Sequence, residues 1–95
     1  MRAISKTAQF KKDFKHELRG PGRKGLEDEL RAVLECLTSD RKLPEKYRDH
    51  ALSGKWSKLN YRDCHVSPDL VLIYGFAGKT GLTLVRLGSH SELFE

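Results

Sequence analysis

The hydrophobic pattern of this chain changes period once, and that change limits the folds open to it. Through residue 37 the apolar side chains recur at helical spacing: Phe10, Phe14 and Leu18, then Leu26, Leu30, Val33, Leu34 and Leu37. Beyond residue 56 the spacing falls to two, the repeat of a strand. Two helices followed by an antiparallel meander make an α+β layer, with the helices on one sheet face and the other face open to a ligand. A short strand over 2–6 precedes them. Thr7 is placed to cap a helix running to about Arg19, which Gly20-Pro21-Gly22 stops. The second helix runs from near Lys24 to Ser39, and a polar connector containing Pro44 and Gly54 fills 40–55. Strands are expected over 56–66, 70–76 and 82–87, with turns at Ser67-Pro68-Asp69 and from Ala77 to Gly81. The tail after Gly88 is expected to make one helical turn. The order β-α-α-β-β-β is expected as a single domain over 1–95.

No run approaches the roughly 20 consecutive apolar residues of a membrane span. The opening Met1-Arg2-Ala3-Ile4-Ser5 lacks the apolar run of a leader. A cytoplasmic protein without membrane contact is therefore expected, and Cys36 and Cys64 read as reduced thiols. Lys and Arg number 18 against 13 Asp and Glu, a formal charge of +5. The excess is uneven: residues 41–62 carry 7 basic and 2 acidic side chains, whereas 66–95 carry 2 and 3. Such a field attracts polyanions without specifying their sequence, and an acidic protein partner would be drawn equally well.

Three of the four histidines, His50, His65 and His90, fall at different junctions of the expected meander, and Asp69 follows the turn after His65. Adjacent strand ends can gather them. Cleaving RNA needs a base for the 2′-hydroxyl proton, an acid for the leaving 5′-oxygen and positive charge on the phosphate. Histidine suits either proton role, with an unperturbed pKa near 6.5. Lys55, Lys58 and Arg62 are candidate electrostatic clamps, arginine matching phosphate best. The same side chains could instead complete a zinc shell, although no close-packed metal spacing is present, or simply lie scattered on the surface. His16, off the apolar stripe of the first helix, reads as exposed and without function. Tyr74 reads as core and Trp56 as an anchor at the strand start. Phe94 is equally suited to packing a nucleobase and to docking the tail.

Three segments carry a specific resemblance: Asp49-His50-Ala51-Leu52-Ser53-Gly54-Lys55-Trp56, the run from Tyr61 through His65-Val66-Ser67-Pro68-Asp69 to Tyr74, and Arg86-Leu87-Gly88-Ser89-His90-Ser91-Glu92-Leu93-Phe94. Together these resemble the YafQ branch of the RelE toxin superfamily. The resemblance implies a toxin of a type II toxin–antitoxin pair that cleaves translated mRNA at the ribosome and is inhibited by a cognate antitoxin. Operator DNA would be contacted only through the antitoxin complex. It implies His50, His65, Asp69 and His90 as active-site residues and Phe94 as the late aromatic, with no cofactor and no metal. Where the best-known branch member has tryptophan after the aspartate, this chain has Leu70, so base preference does not carry over. The alternative is a catalytically inactive homologue that binds antitoxin and nucleic acid.

Overall fold

The computed structural model describes residues 1–20, 25–52, 54 and 60–94. Strand β1 (Ala3–Lys6) leads into helix α1 (Ala8–Arg19) and helix α2 (Leu26–Thr38). A 3-10 turn at Glu45–Tyr47 precedes β2 (His50–Ala51), β3 (Arg62–Ser67), β4 (Leu70–Ala77), β5 (Gly81–Gly88) and a short helix α3 (His90–Phe94). The five strands form one sheet in the order β1-β5-β4-β3-β2. β1 runs parallel to β5, and the other neighbours are antiparallel.

Thr7 caps α1 as expected: its Oγ1 accepts from the Phe10 N–H at 2.9 Å and donates to the Val85 carbonyl at 2.8 Å. The cap thus fixes the helix to β5 as well. Leu18, expected on the buried stripe, is instead 40% exposed, and Phe10, Asp13 and Glu17 are the buried residues of α1. Positions four apart drift by about 40° per step on a 3.6-residue helix, so the stripe leaves Leu18 and follows the 10/13/17 spacing. In α2 the expected residues Leu26, Leu30, Val33 and Leu37 are buried, with Leu34 packed at their edge.

The connector has more order than its polarity announces. Leu43 and Tyr47 join the core, and β2 adds two residues to the sheet edge. β3 starts at Arg62, not 56; residues 56–59, with Trp56, lie outside the described residues. Cys64, Val66, Leu70, Leu72, Tyr74, Leu82, Leu84 and Leu87 pack beneath the helices. The opposite face, expected open, is partly closed: Val71, Ile73 and Val85 pack with Leu93 of α3, flanked by Leu52, Tyr61 and Phe94. Gly75 makes room there, since a Cβ at that position would sit 2.8 Å from the Tyr61 ring. No helix among the described residues is long and apolar enough to cross a membrane.

Candidate functional site

Strand alternation places Asp63 and His65 on the same side of β3, opposite the helices, beside Ile73 and Val71 of β4. Antiparallel pairing then sets His50 of β2 across from Asp63. His50 Nε2 lies 2.8 Å from Asp63 Oδ1, and the two side chains are 58% and 2% exposed. The approach is an ion-pair distance but is poorly directed, because that oxygen has no hydrogen-bond partner. His50 Nδ1 faces the Ala51 carbonyl at 3.2 Å, so both ring nitrogens meet oxygens. Burial raises the Asp63 carboxyl above its ordinary range, against the opposing pull of His50, His65 and His90. A buried carboxylate therefore sits within the field of all three sequence-predicted histidines.

His90 opens α3, exposed to solvent, and its ring lies 4.7 Å from that of Phe94. α3 is set by a reciprocal cap: the Ser89 N–H donates to Glu92 Oε1 at 2.8 Å, and the Glu92 N–H donates to Ser89 Oγ at 3.2 Å. At the end of β5, Asp13 accepts from Arg86 Nε and Nη2 at 3.0 and 3.2 Å and from the Leu87 N–H at 3.1 Å. Burial alone would raise Asp13; the hydrogen bonds from Arg86, Leu87 and Gln9 outweigh it and hold the carboxyl below its usual value.

The other predicted residues are placed as follows. Asp69 is exposed in the β3–β4 turn, where its carboxylate accepts from Ser67 Oγ at 3.0 Å. Phe94 packs against the apolar cluster of the histidine face while touching His90. Arg62 is not gathered with the histidines. One residue out of phase with Asp63, it turns to the helix side and donates to both Asp49 oxygens at 3.0 and 3.2 Å. The Tyr74 hydroxyl donates a short hydrogen bond to the same carboxylate. Asp49 is thus held on one sheet face while its neighbour His50 meets Asp63 on the other. Lys55 and Lys58 lie outside the described residues.

Sequence reasoning passed over Asp63. Its signal was available in the alternation that aligned it with His65, but not its burial. Among the described residues, the potential metal-ligand atoms within 4.8 Å of one another belong to His16, Glu17 and Glu92; the histidines around Asp63 form no such group. The arrangement at Asp63 offers the exposed imidazole of His50 and the half-buried one of His65 for proton transfer, with the Asp63 carboxyl against His50.

The sequence pattern of YafQ, bacterial toxins of type II toxin–antitoxin systems, matches residues 2–95. The mRNA interferase toxin YafQ of Escherichia coli B is 37% identical over 94 residues, covering 98% of this chain and 96% of that protein. In two other relatives, from Haemophilus influenzae and Escherichia coli K12, the match spans 60% and 53% of the relative's length. Among solved structures, the toxin of the Escherichia coli DinJ–YafQ toxin–antitoxin complex superimposes with a TM-score of 0.82 at 35% identity, covering 99% of this chain and 98% of that one. A metal-bound toxin from Helicobacter pylori gives 0.83 at 40% identity, covering 99% and 100%. With the pattern matched from residue 2 onward and two N-terminal helices packed on a mostly antiparallel sheet, this chain belongs to the YafQ toxin family of the RelE/ParE superfamily.

Proposed function

We propose that this chain is a ribosome-dependent endoribonuclease that cleaves translated mRNA by metal-independent acid–base chemistry and is neutralised by a cognate antitoxin. The observation that carries the reading is His50 Nε2 at 2.8 Å from the buried Asp63, on the sheet face that also carries His65. It is supported by an Escherichia coli relative named as an mRNA interferase and by the DinJ–YafQ complex.

In the proposed reaction a base, His50 or His65, takes the 2′-hydroxyl proton. The 2′-oxygen bonds to phosphorus, the bond from phosphorus to the 5′-oxygen breaks, and His90 protonates the departing oxygen. A 2′,3′-cyclic phosphate remains. Asp63 fixes His50, Asp69 assists near the β3–β4 turn, and Phe94 offers a face to a base beside His90. Lys55 and Lys58 supply attraction to phosphate. Arg62, engaged by Asp49, acts by holding the β2 edge.

Primer extension on an actively translated transcript tests the reading. Cuts within the translated region are expected, with little cleavage of the same RNA free of ribosomes. Equal cutting of naked RNA removes the ribosome requirement. No cutting by a folded, antitoxin-free protein favours the inactive binding module. Stoichiometric zinc whose removal abolishes cleavage in ribosomes kept intact by magnesium overturns metal independence.

A further inference from the structure

A cleft of about 550 Å³ opens between the Glu45–Tyr47 turn and the β3–β4 turn, with Lys46, Tyr47, Arg48 and His65 on its walls. We propose that it is a subsite for one phosphate of the RNA strand and its attached nucleoside, with Arg48 as the principal contact and Lys46 as the second. The inference rests on the nuclease reading and extends it to residues outside the histidine set.

The cleft exists because β2 stops early. It pairs only with Arg62 and Asp63, and continuing that register would set Arg48 opposite His65. Arg48 instead adopts φ 49 and ψ 46, a left-handed conformation rare for a residue with a side chain. The chain leaves the ladder there, and the outer edge of β3 beside His65 is uncovered. Backbone geometry of this kind collects at binding sites.

The charges on the walls are available. Arg62 is engaged by Asp49, but the Arg48 guanidinium makes no hydrogen bond or ion pair among the described residues. Lys46 Nζ stands 4.9 Å over the Tyr47 ring, without a carboxylate partner among the described residues. Glu29 lies on another wall, where its carboxylate accepts from the Tyr47 hydroxyl at 3.2 Å. It repels an anion from that side and directs it to Arg48. The volume falls within the roughly 300–1,000 Å³ of small-ligand pockets and suits one nucleotide. Because His65 belongs to both cleft and proposed active site, a strand cut at the histidines continues into it.

The test uses the full chain and a fluorescein-labelled single-stranded 2′-deoxy oligonucleotide, which lacks the attacking hydroxyl. Arg48→Gln should weaken its binding about five- to tenfold at low salt and reduce the slope of log affinity against log salt by about 0.7, the value for one phosphate on a single strand. Arg48→Gly, which tolerates the positive φ without strain, should lose the same amount, separating contact from folding. Arg41→Gln, outside the cleft, should match the parent. In single-turnover cleavage of translated RNA, Arg48→Gln should raise the half-saturating concentration and leave the saturating rate within about threefold, as uniform binding requires. Parental affinity and salt slope in both Arg48 variants overturn the subsite. Unchanged oligonucleotide binding with lost affinity for an acidic antitoxin peptide also overturns it, by making the cleft a protein interface. If the parent cleaves nothing, the nuclease reading fails while the oligonucleotide arm still decides the subsite.

Discussion

Burial acts on two carboxylates of this protein with different results. Asp13 is surrounded by donors and titrates below the ordinary 3.8, whereas Asp63, with one oxygen lacking a hydrogen bond, titrates above it. The pH consequences have opposite signs. For Asp63 the folded state binds more protons between 3.8 and its raised folded value, so its contribution to stability falls as pH rises through that window. Asp63→Asn should therefore gain stability relative to the parent over that range, yet lose roughly ten- to a hundredfold in cleavage as His50 loses its orienting charge. Asp13 contributes above 3.8, and the contribution is lost as pH falls through its depressed folded value. Asp13→Asn should consequently be less stable than the parent at neutral pH and converge on it in acid. Thermal melts of the three proteins from about pH 2 to 7 check both signs. His90→Ala should keep the melting behaviour within about 1 kcal/mol of the parent and lose roughly 10²–10⁴-fold in single-turnover cleavage, with His16→Ala as the matched control. Parental cleavage by His90→Ala would remove it from the acid role. At this scale the histidines were legible because their chemistry is unusual, and Asp63 was not, because one carboxylate among 13 acidic residues carries no mark of burial.

Short elements hold this site together, and they are where the sequence was least informative. β2 has two residues, too few for any period to register, so the connector gave no sign of the strand that carries His50. The long elements were readable because apolar residues recur over several turns or pleats. α3 has five residues and little intrinsic stability, so its position depends on the Ser89–Glu92 cap, on buried Leu93 and on Gly88, where a Cβ would meet Glu92 and Leu93 at 3.3 Å. The Ser89-x-x-Glu92 spacing is a capping signal visible in the sequence. Ser89→Ala should cost about 1 kcal/mol of stability and lower the single-turnover rate more than it weakens substrate binding, because it loosens the helix that presents His90. Glu92→Gln, which preserves the reciprocal cap, should stay close to the parent. Equal losses in the two variants would separate the cap from His90 placement.

The whole molecule combines a net charge of +5 with a last segment, residues 66–95, that is nearly neutral and carries His90. Long-range attraction therefore comes mainly from the basic segment over 41–62, while His90 lies in the nearly neutral one. Raising salt should slow association with ribosomes while leaving the saturating cleavage rate nearly constant. Comparable losses in both would place the charges in the reaction itself. The α+β class followed from the single change of hydrophobic period, but the parallel β1–β5 pairing did not, since a thin four-residue strand says nothing of its partner.

That pairing also sets an order of events during synthesis. Residues 3–6 lie alongside residues 81–84, the α1 cap reaches Val85, and Asp13 waits for the Leu87 amide. The early part of the chain thus leaves the ribosome with its partners not yet made, and His90 and Phe94 follow later still. Contacts so distant in sequence form only when both segments are free. On the proposed function, a growing polypeptide has no assembled cleavage site and spares the message from which it is being translated; toxicity begins with release.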